Sequence, residues 1–450
     1  MQNNLDKQNR ITEGVIWKEL IRFSLPLLIG NFFQNLYNTV DSIIVGRYVS
    51  LNALAAVNSS MPVLNMLIGF FLGLSVGSGV ILAQRYGARD EHGTQRTIHT
   101  AVSTMFLSGI IIAILGFIAS PLILRTIDTP DEVFEQAITY LRVFFLGSPA
   151  LVLYNSCAGL LQSIGDSKRP LKYLIAACFT NIILDYVFVA KLSMGIAGAA
   201  FATDIAMLCS AALAIRALMT DDDIYRLSLK KLKIDKYYFK KIFRLGLPSG
   251  LQTTIVSFSN VIVQRFINIY DTAAIAGVGS YNKIDAFIFM PTMSLSLAAT
   301  TFVGQNIGAG RKDRVKKIAV SDMLICSAIT ILLTLLFWAF WEDVLRLFSD
   351  DPDMLSYAYT ALKWESPYYV LLVFTNVGAG VVRGSGDSLR PMLIMVGCFC
   401  VLRIAWLCLQ SAFFPSLDAV LAGYPLTWLV SAVLMILFLR KGKWLERAEL

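Results

Sequence analysis

Polar side chains follow one face of an otherwise apolar segment near the start of the chain. Asn31, Gln34, Asn38 and Asp41 recur at intervals of three or four residues. At about 100° per residue, a helix places them within roughly 80° of one another. A charge in the middle of a membrane helix costs about 2.5–3.5 kcal/mol, so an acid there predicts a functional role. The stripe therefore marks Asp41 as a candidate ion-binding side chain.

A second acid belongs to a similar pattern later in the same half. Asn181 and Asp185 are four residues apart and share a helix face, and Thr203 interrupts a run of small residues. If Asp41 and Asp185 face each other, a proton can bind between them and leave when the site opens. Alternatively, the oxygens of Asp41, Asn181, Asp185 and Thr203 can coordinate Na⁺. A purely structural role, as hydrogen bonds that hold the helices together, is the third interpretation.

The composition is that of a membrane protein. Of 450 residues, 56% are hydrophobic and 16% are charged, whereas a soluble domain has about 45–50% and 25%. Apolar runs of about 20 residues or more, the length that crosses a bilayer, predict about twelve transmembrane helices and exclude a β-barrel. These runs lie near residues 19–46, 53–83, 97–120, 134–157, 170–190, 195–219, 243–270, 273–303, 316–341, 355–382, 391–413 and 417–439.

Basic residues fall in alternate loops and predict the orientation. Lys and Arg cluster at 85–96, 168–169, 230–241, 311–317 and 440–443, while the intervening loops are richer in acids. By the positive-inside rule, the basic loops and both termini are predicted to be cytoplasmic. The net charge of +8 therefore needs no nucleic-acid partner.

The chain contains an internal repeat. Residues 158–170, AGLLQSIGDSKRP, recur as 379–391, AGVVRGSGDSLRP, and Pro26 has a counterpart in Pro248. Such self-similarity predicts two parallel six-helix bundles that can rock about a cleft. We predict an N-terminal lobe at 1–219, a cytoplasmic linker at 220–242 and a C-terminal lobe at 243–450.

The acids of the first half are missing from the second. Asp41 corresponds to Ile262 or Val263, and Asp185 to Trp406. Asp285 in the second half is predicted to form a neutral internal pair with Arg403 or Arg265. The ion site is therefore expected in the first lobe alone.

No motif for nucleotide hydrolysis or enzymatic catalysis is evident. The chain lacks GxxxxGK[ST], and its two histidines, His92 and His99, form no HExxH motif or catalytic triad. The seven cysteines lie in apolar runs without metal-site spacing. We therefore expect a carrier driven by an ion gradient, with no cofactor, rather than an enzyme.

The combined motifs resemble the MATE (multidrug and toxic compound extrusion) family, and most closely its DinF-like branch. The resemblance rests on Pro26 and Asp41 in the first helix, the two Gly-Asp-Ser-x-Arg-Pro motifs and the Asn-x-x-x-Asp of the fifth helix. It implies that Asp41, Asn181, Asp185 and Thr203 bind the coupling ion. Independently of the resemblance, Pro26 interrupts the backbone hydrogen bonds of the first helix, which predicts either a static kink or a bend that shifts Asp41 relative to Asp185. By the same resemblance, the substrate pocket is lined by Gln34, Tyr37, Asn38, Tyr140 and Asn155.

The family implies a function as well as a fold. We expect a monomeric exporter in a prokaryotic plasma membrane that exchanges amphipathic, mostly cationic compounds for H⁺ or Na⁺ by alternating access. A flippase for lipid-linked saccharide precursors of the same superfamily is the alternative, although the acidic first lobe disfavours it. Asp204, next to Thr203, is an acid that the family pattern does not explain.

Overall fold

The computed structural model describes residues 10–127 and 129–446 and is built from long helices. Five of the helix starts are capped by a side chain that accepts a backbone N–H of the first turn: Ser50, Asp90, Asp271, Asp351 and Ser416. The helices are α1 (Ile16–Tyr48), α2 (Leu51–Gly87), α3 (Glu91–Thr126), α4 (Asp131–Ser163), α5 (Lys168–Asp185), α6 (Gly195–Thr220), α7 (Lys236–Ile267), α8 (Thr272–Gly308), α9 (Lys312–Arg346), α10 (Pro352–Glu365 and Tyr369–Gly384), α11 (Leu389–Val396 and Arg403–Phe413), α12 (Leu417–Arg440) and α13 (Lys443–Glu446).

Two helices contain π-helical turns and one contains a 3₁₀ turn. A π-helical turn, Tyr186–Lys191, follows α5 directly, and another, Gly397–Leu402, joins the two parts of α11. The 3₁₀ turn Ser366–Tyr368, which contains Pro367, joins the two parts of α10. Such turns leave some backbone groups without the regular hydrogen bonds of an α-helix. Membrane proteins tolerate these turns where they are buried inside a helix bundle.

Nine of the helices in the described residues are long and apolar enough to cross a membrane. The other three of the predicted twelve are α1, which carries the polar stripe, α7, and the interrupted α10. The described residues contain no β-strand. These features confirm the predicted all-α polytopic membrane fold.

The chain folds into two compact units whose boundaries fall inside helices. One unit comprises residues 25–250, and the other comprises 10–24 together with 251–446. Each boundary lies within two or three residues of a repeat-related proline, Pro26 in α1 and Pro248 in α7. The lobes predicted from the sequence, with a linker at 220–242, are instead continuous stretches of chain. That division stays a prediction.

The beginning of the described chain packs within the second unit. The amide of Asn306 donates to the carbonyl of Ile11 (3.2 Å), and Arg314 donates to the carbonyl of Gly14 (2.6 Å). The ring of Phe23 packs edge-on against Phe302, with centroids 5.6 Å apart. These contacts anchor the first part of α1 to α8 and α9.

The beginning of α7 packs within the first unit through four glycines. Gly73 and Gly77 on α2 face Gly250 and Gly246 on α7, and a Cβ on Gly73 or Gly77 would overlap the α7 backbone. Each helix thus presents a glycine pair at a spacing of four residues, which lets two membrane helices approach closely. This four-glycine crossing holds α7 against α2.

Residues 221–235, between α6 and α7, are docked on the first unit. Tyr225 and Leu227 are buried. Arg169, from the first Gly-Asp-Ser-x-Arg-Pro motif, donates to Asp166 and Asp221 (both 2.5 Å), and Tyr225 donates to the same Asp221 oxygen (2.5 Å). Burial and the hydrogen bond to Asp221 raise the pKa of the Tyr225 hydroxyl, which keeps it a donor at neutral pH.

Replacing Arg169 with glutamine should release this docked segment. The substitution leaves Asp166 and Asp221 facing each other without a cation, so their repulsion opposes docking. We expect trypsin to cleave the purified protein after Arg226, Lys230 or Lys231 about tenfold faster than it cleaves the parent. Arg390→Gln is the matched control, because Arg390 pairs with Asp387 inside its own motif (2.8 Å). Equal protection of both variants would show that Arg169 does not hold the segment.

Candidate functional site

Asp41 and Asp185 meet in the interior of the first unit. Asp41 is 4% exposed and Asp185 is fully buried. The two carboxyl groups are close enough to interact, and among the described residues no hydrogen-bond donor reaches either oxygen of Asp185. Because two ionised carboxylates only accept hydrogen bonds, this contact requires a proton or a cation between them.

Local structure explains why Asp185 points inward. Asn181 and Asp185 share one face of α5, and both are buried there. The π-helical turn Tyr186–Lys191 begins immediately after Asp185. Turns of this type inside helices frequently accompany functional sites, since they re-aim side chains and free backbone groups.

Neutral oxygens from two helices lie beside the acids. The amide nitrogen of Asn181 donates to the Thr203 hydroxyl on α6 (3.3 Å), while the buried Oδ1 of Asn181 has no described partner. A crevice too narrow to hold a water molecule runs along this contact. It is lined by Tyr37, Ala177, Asn181, Thr203, Ala206 and Met207. The site therefore joins α1, α5 and α6, and its free oxygens suit a small cation.

Two tyrosines lie near the cluster formed by Asp41, Asp185, Asn181 and Thr203. Tyr37 on α1 is in electrostatic reach of Asp41 and Asp185, and Tyr140 on α4 is in reach of both of these acids and of Asp204. Asp204 itself is tied to α4, because its carboxylate contacts the backbone of Gly147 so closely that a Cβ there would overlap it. Asp204 thus lies next to the cluster, and its contact is with α4.

The remaining predicted residues are less closely involved. Gln34 and Asn38 are half-buried on α1, and no described hydrogen bond joins their side chains to the acids. The amide of Asn155 donates to the carbonyl of Leu151 on its own helix (2.9 Å). Pro26 is buried within a continuous α1. Their proposed roles in substrate lining and bending stay predictions. Sequence reasoning missed three residues that line the crevice: Ala177, Ala206 and Met207. Their side chains are apolar, so the sequence pattern did not distinguish them from other helix residues.

The predicted ion pair in the second half is wrong. Arg403 donates instead to Asn260 (3.1 Å) and to Thr427 (3.1 Å), and among the described residues no ion pair joins Asp285 to Arg403 or Arg265. The guanidinium lies 4.5 Å from the ring centroid of Tyr424. Hydrogen bonds and ring contacts thus replace the expected carboxylate partner.

Asp285 takes part in a different buried network. It lies close to Tyr369, whose hydroxyl is 2.5 Å from the hydroxyl of Tyr281. Glu365, 2% exposed, interacts electrostatically with Asp285 and Arg403. Sequence reasoning missed Glu365, although an acid inside the predicted span 355–382 was a usable signal.

The two halves of the chain match one family model. The model described as MatE matches residues 26–187 and again 248–408. The chain belongs to the MATE family. The two matches begin at Pro26 and Pro248, in agreement with the internal repeat found in the sequence.

MATE relatives align over nearly the full length. The chain is 30% identical over 439 residues to the probable multidrug resistance protein YpnP of Bacillus subtilis, covering 96% of this chain and 97% of that protein. It is 25% identical over 442 residues to the probable multidrug resistance protein NorM of Thermotoga maritima, covering 97% and 94%. A MOP superfamily transporter from Pyrococcus furiosus has a similar structure, with a TM-score of 0.89, 25% identity and coverage of 97% and 98%.

Membership in the MATE family settles the general class of the protein. It is a membrane transporter and not an enzyme, as the sequence predicted. Its substrates are small molecules, and its helices lie in a bilayer.

Proposed function

We propose that this MATE protein exports amphipathic, mostly cationic compounds from the cytoplasm in exchange for H⁺ or Na⁺. The observation that carries the proposal is the contact between Asp41 and Asp185, two buried acids in the first unit whose counterparts in the second half are apolar. The names of the relatives support multidrug efflux. Basic alternate loops support cytoplasmic termini, and we propose that one chain transports alone.

Coupling follows from the electrostatics of the site. A carboxylate pair without a counter-ion is unfavourable in a bilayer, so the closed site holds a proton or a cation. Opening toward water removes that penalty and lets the ion leave. A cationic substrate can then be drawn by the vacated negative charge, so that ion and substrate alternate. Asp41 and Asp185 would hold a proton, and Na⁺ would add the oxygens of Asn181 and Thr203.

The negative charges of the Asp41–Asp185 site disfavour the flippase alternative. A lipid-linked saccharide precursor carries a pyrophosphate, which requires a cationic cleft. The described cluster at Asp41 and Asp185, with Asp204 nearby, is acidic.

Separate ion gradients test the proposal. Purified protein in liposomes loaded with ethidium is given a pH gradient, a Na⁺ gradient, or neither. We expect dye movement under one gradient only, at a rate at least about tenfold above that of protein-free liposomes. Movement with the pH gradient identifies H⁺ and movement with the Na⁺ gradient identifies Na⁺. Equal movement with and without gradients would contradict antiport.

A further inference from the structure

A cleft separates the start of α3 from the docked segment 221–235, away from the Asp41–Asp185 site. Its volume is about 620 Å³. It is lined by Glu91, His92, Gln95, Arg96, His99, Thr100, Lys231, Lys233 and Asp235. Both walls belong to the first unit. The cleft is therefore a polar space at the membrane-surface end of α3.

Four contacts fix the two walls relative to each other. The amide of Gln95 donates to the carbonyl of Ile224 (2.7 Å), and the backbone N–H of Ser228 donates to Nε2 of His99 (3.1 Å). The backbone N–H of Asp235 donates to Thr100 (3.1 Å), and Arg96 pairs with the Asp235 carboxylate (3.1 Å). A cleft fixed at both ends needs little reorganisation to bind a ligand.

The charges that face the cleft are mostly positive. Asp235 is neutralised by Arg96 and caps α7 by accepting the N–H of Tyr237 (2.9 Å). Lys231 and Lys233 are exposed and have no ion-pair partner among the described residues. Of the two acids that line the cleft, Asp235 is paired with Arg96, and Glu91 is the other. Asp90, which caps the N-terminus of α3, is paired with Arg85 (3.0 Å). This arrangement attracts an anion.

Apolar side chains alternate with these lysines. Leu229, Leu232 and Ile234 are 53%, 39% and 40% exposed. Exposed apolar residues next to lysines are characteristic of segments at a bilayer surface, where lysine meets phosphate and leucine enters the acyl region. A soluble anion would leave these apolar side chains in water.

We infer that this cleft binds the headgroup of an anionic phospholipid. The lipid phosphate lies between Lys231 and Lys233, and Leu229, Leu232 and Ile234 contact its acyl chains. Bound lipid would bridge α3 and the docked segment.

Binding of short-chain phosphatidylglycerol to the full-length protein in detergent tests the site. Lys231→Gln with Lys233→Gln should weaken binding about 10- to 30-fold, since each basic residue near a lipid surface contributes about fivefold. Lys236→Gln with Lys240→Gln removes the same charge from exposed positions that do not line the cleft, and should weaken binding less than about twofold. Gel filtration confirms that each variant remains folded.

A second comparison separates lipid from free phosphate. Leu232→Ser with Ile234→Ser should weaken phosphatidylglycerol binding about fivefold or more, while short-chain phosphatidylcholine and inorganic phosphate should bind the parent at least about tenfold more weakly. If both double lysine variants lost the same affinity for phosphatidylglycerol, the proposed site would be overturned, because general surface charge would then explain binding. Inorganic phosphate binding as tightly as the lipid would overturn the lipid assignment.

Discussion

Asp41→Asn should abolish gradient-driven dye efflux, with a loss of about 100-fold or more. The substitution keeps the shape of the side chain and removes the charge that must be balanced in the membrane. Asp185 then has no acidic partner with which to share a proton or Na⁺, so the site cannot exchange its ion during the cycle. The measurement is ethidium movement in liposomes under whichever gradient drives the parent protein.

Two further variants make this result specific. Asp185→Asn, alone or combined with Asp41→Asn, should cost about as much as Asp41→Asn, because residues that act as a unit are not additive. Asp322→Asn is the matched control, since Asp322 is fully buried on α9 in the second unit and lies outside the proposed site. It should retain most of the efflux. Normal efflux by Asp41→Asn would defeat the coupling assignment.

Gly77→Ala should strongly destabilise the protein. The new Cβ would overlap the backbone of Gly246 in the four-glycine crossing, and a backbone cannot rotate away as a side chain can. Overpacking of this kind costs about 1–3 kcal/mol or more. We expect a clearly lower unfolding temperature and lower yield in detergent, and no folded material when Gly73→Ala is added.

Gly79→Ala is the control on the same helix. A Cβ at Gly79 would lie 3.6 Å from its nearest neighbour, the carbonyl oxygen of Gly159, which is an ordinary contact. Alanine also favours helix over glycine by about 1 kcal/mol. Gly79→Ala should therefore unfold at the same or a slightly higher temperature. Equal destabilisation of both variants would show that the close helix approach is unimportant.

Local patterns were sufficient to predict the helices and the two acids. Runs of apolar residues predicted the spans, and the offset between 158–170 and 379–391 predicted the repeat that the family model matches twice. The shared face of Asn181 and Asp185 placed both side chains in the interior. These features depend on chain neighbours a few residues apart, so the sequence displays them directly.

Features that depend on distant neighbours were not predictable. Arg403 has Asn260 and Thr427 as partners, whereas charge matching suggested Asp285. Residues 221–235 resemble a free polar linker in the sequence, because a buried contact such as that of Tyr225 with Arg169 on α5 joins residues far apart in the chain. Helix packing decides which side chains meet, and no spacing rule contains that information.

The second compact unit is not a continuous stretch of chain, and this has a consequence for how the protein is made. The unit that contains residues 251–446 also takes residues 10–24, which the ribosome synthesises first. The unit that begins at residue 25 is completed only when Gly246 and Gly250 follow. A gene cut between α6 and α7 would therefore yield two fragments that must exchange their leading ends.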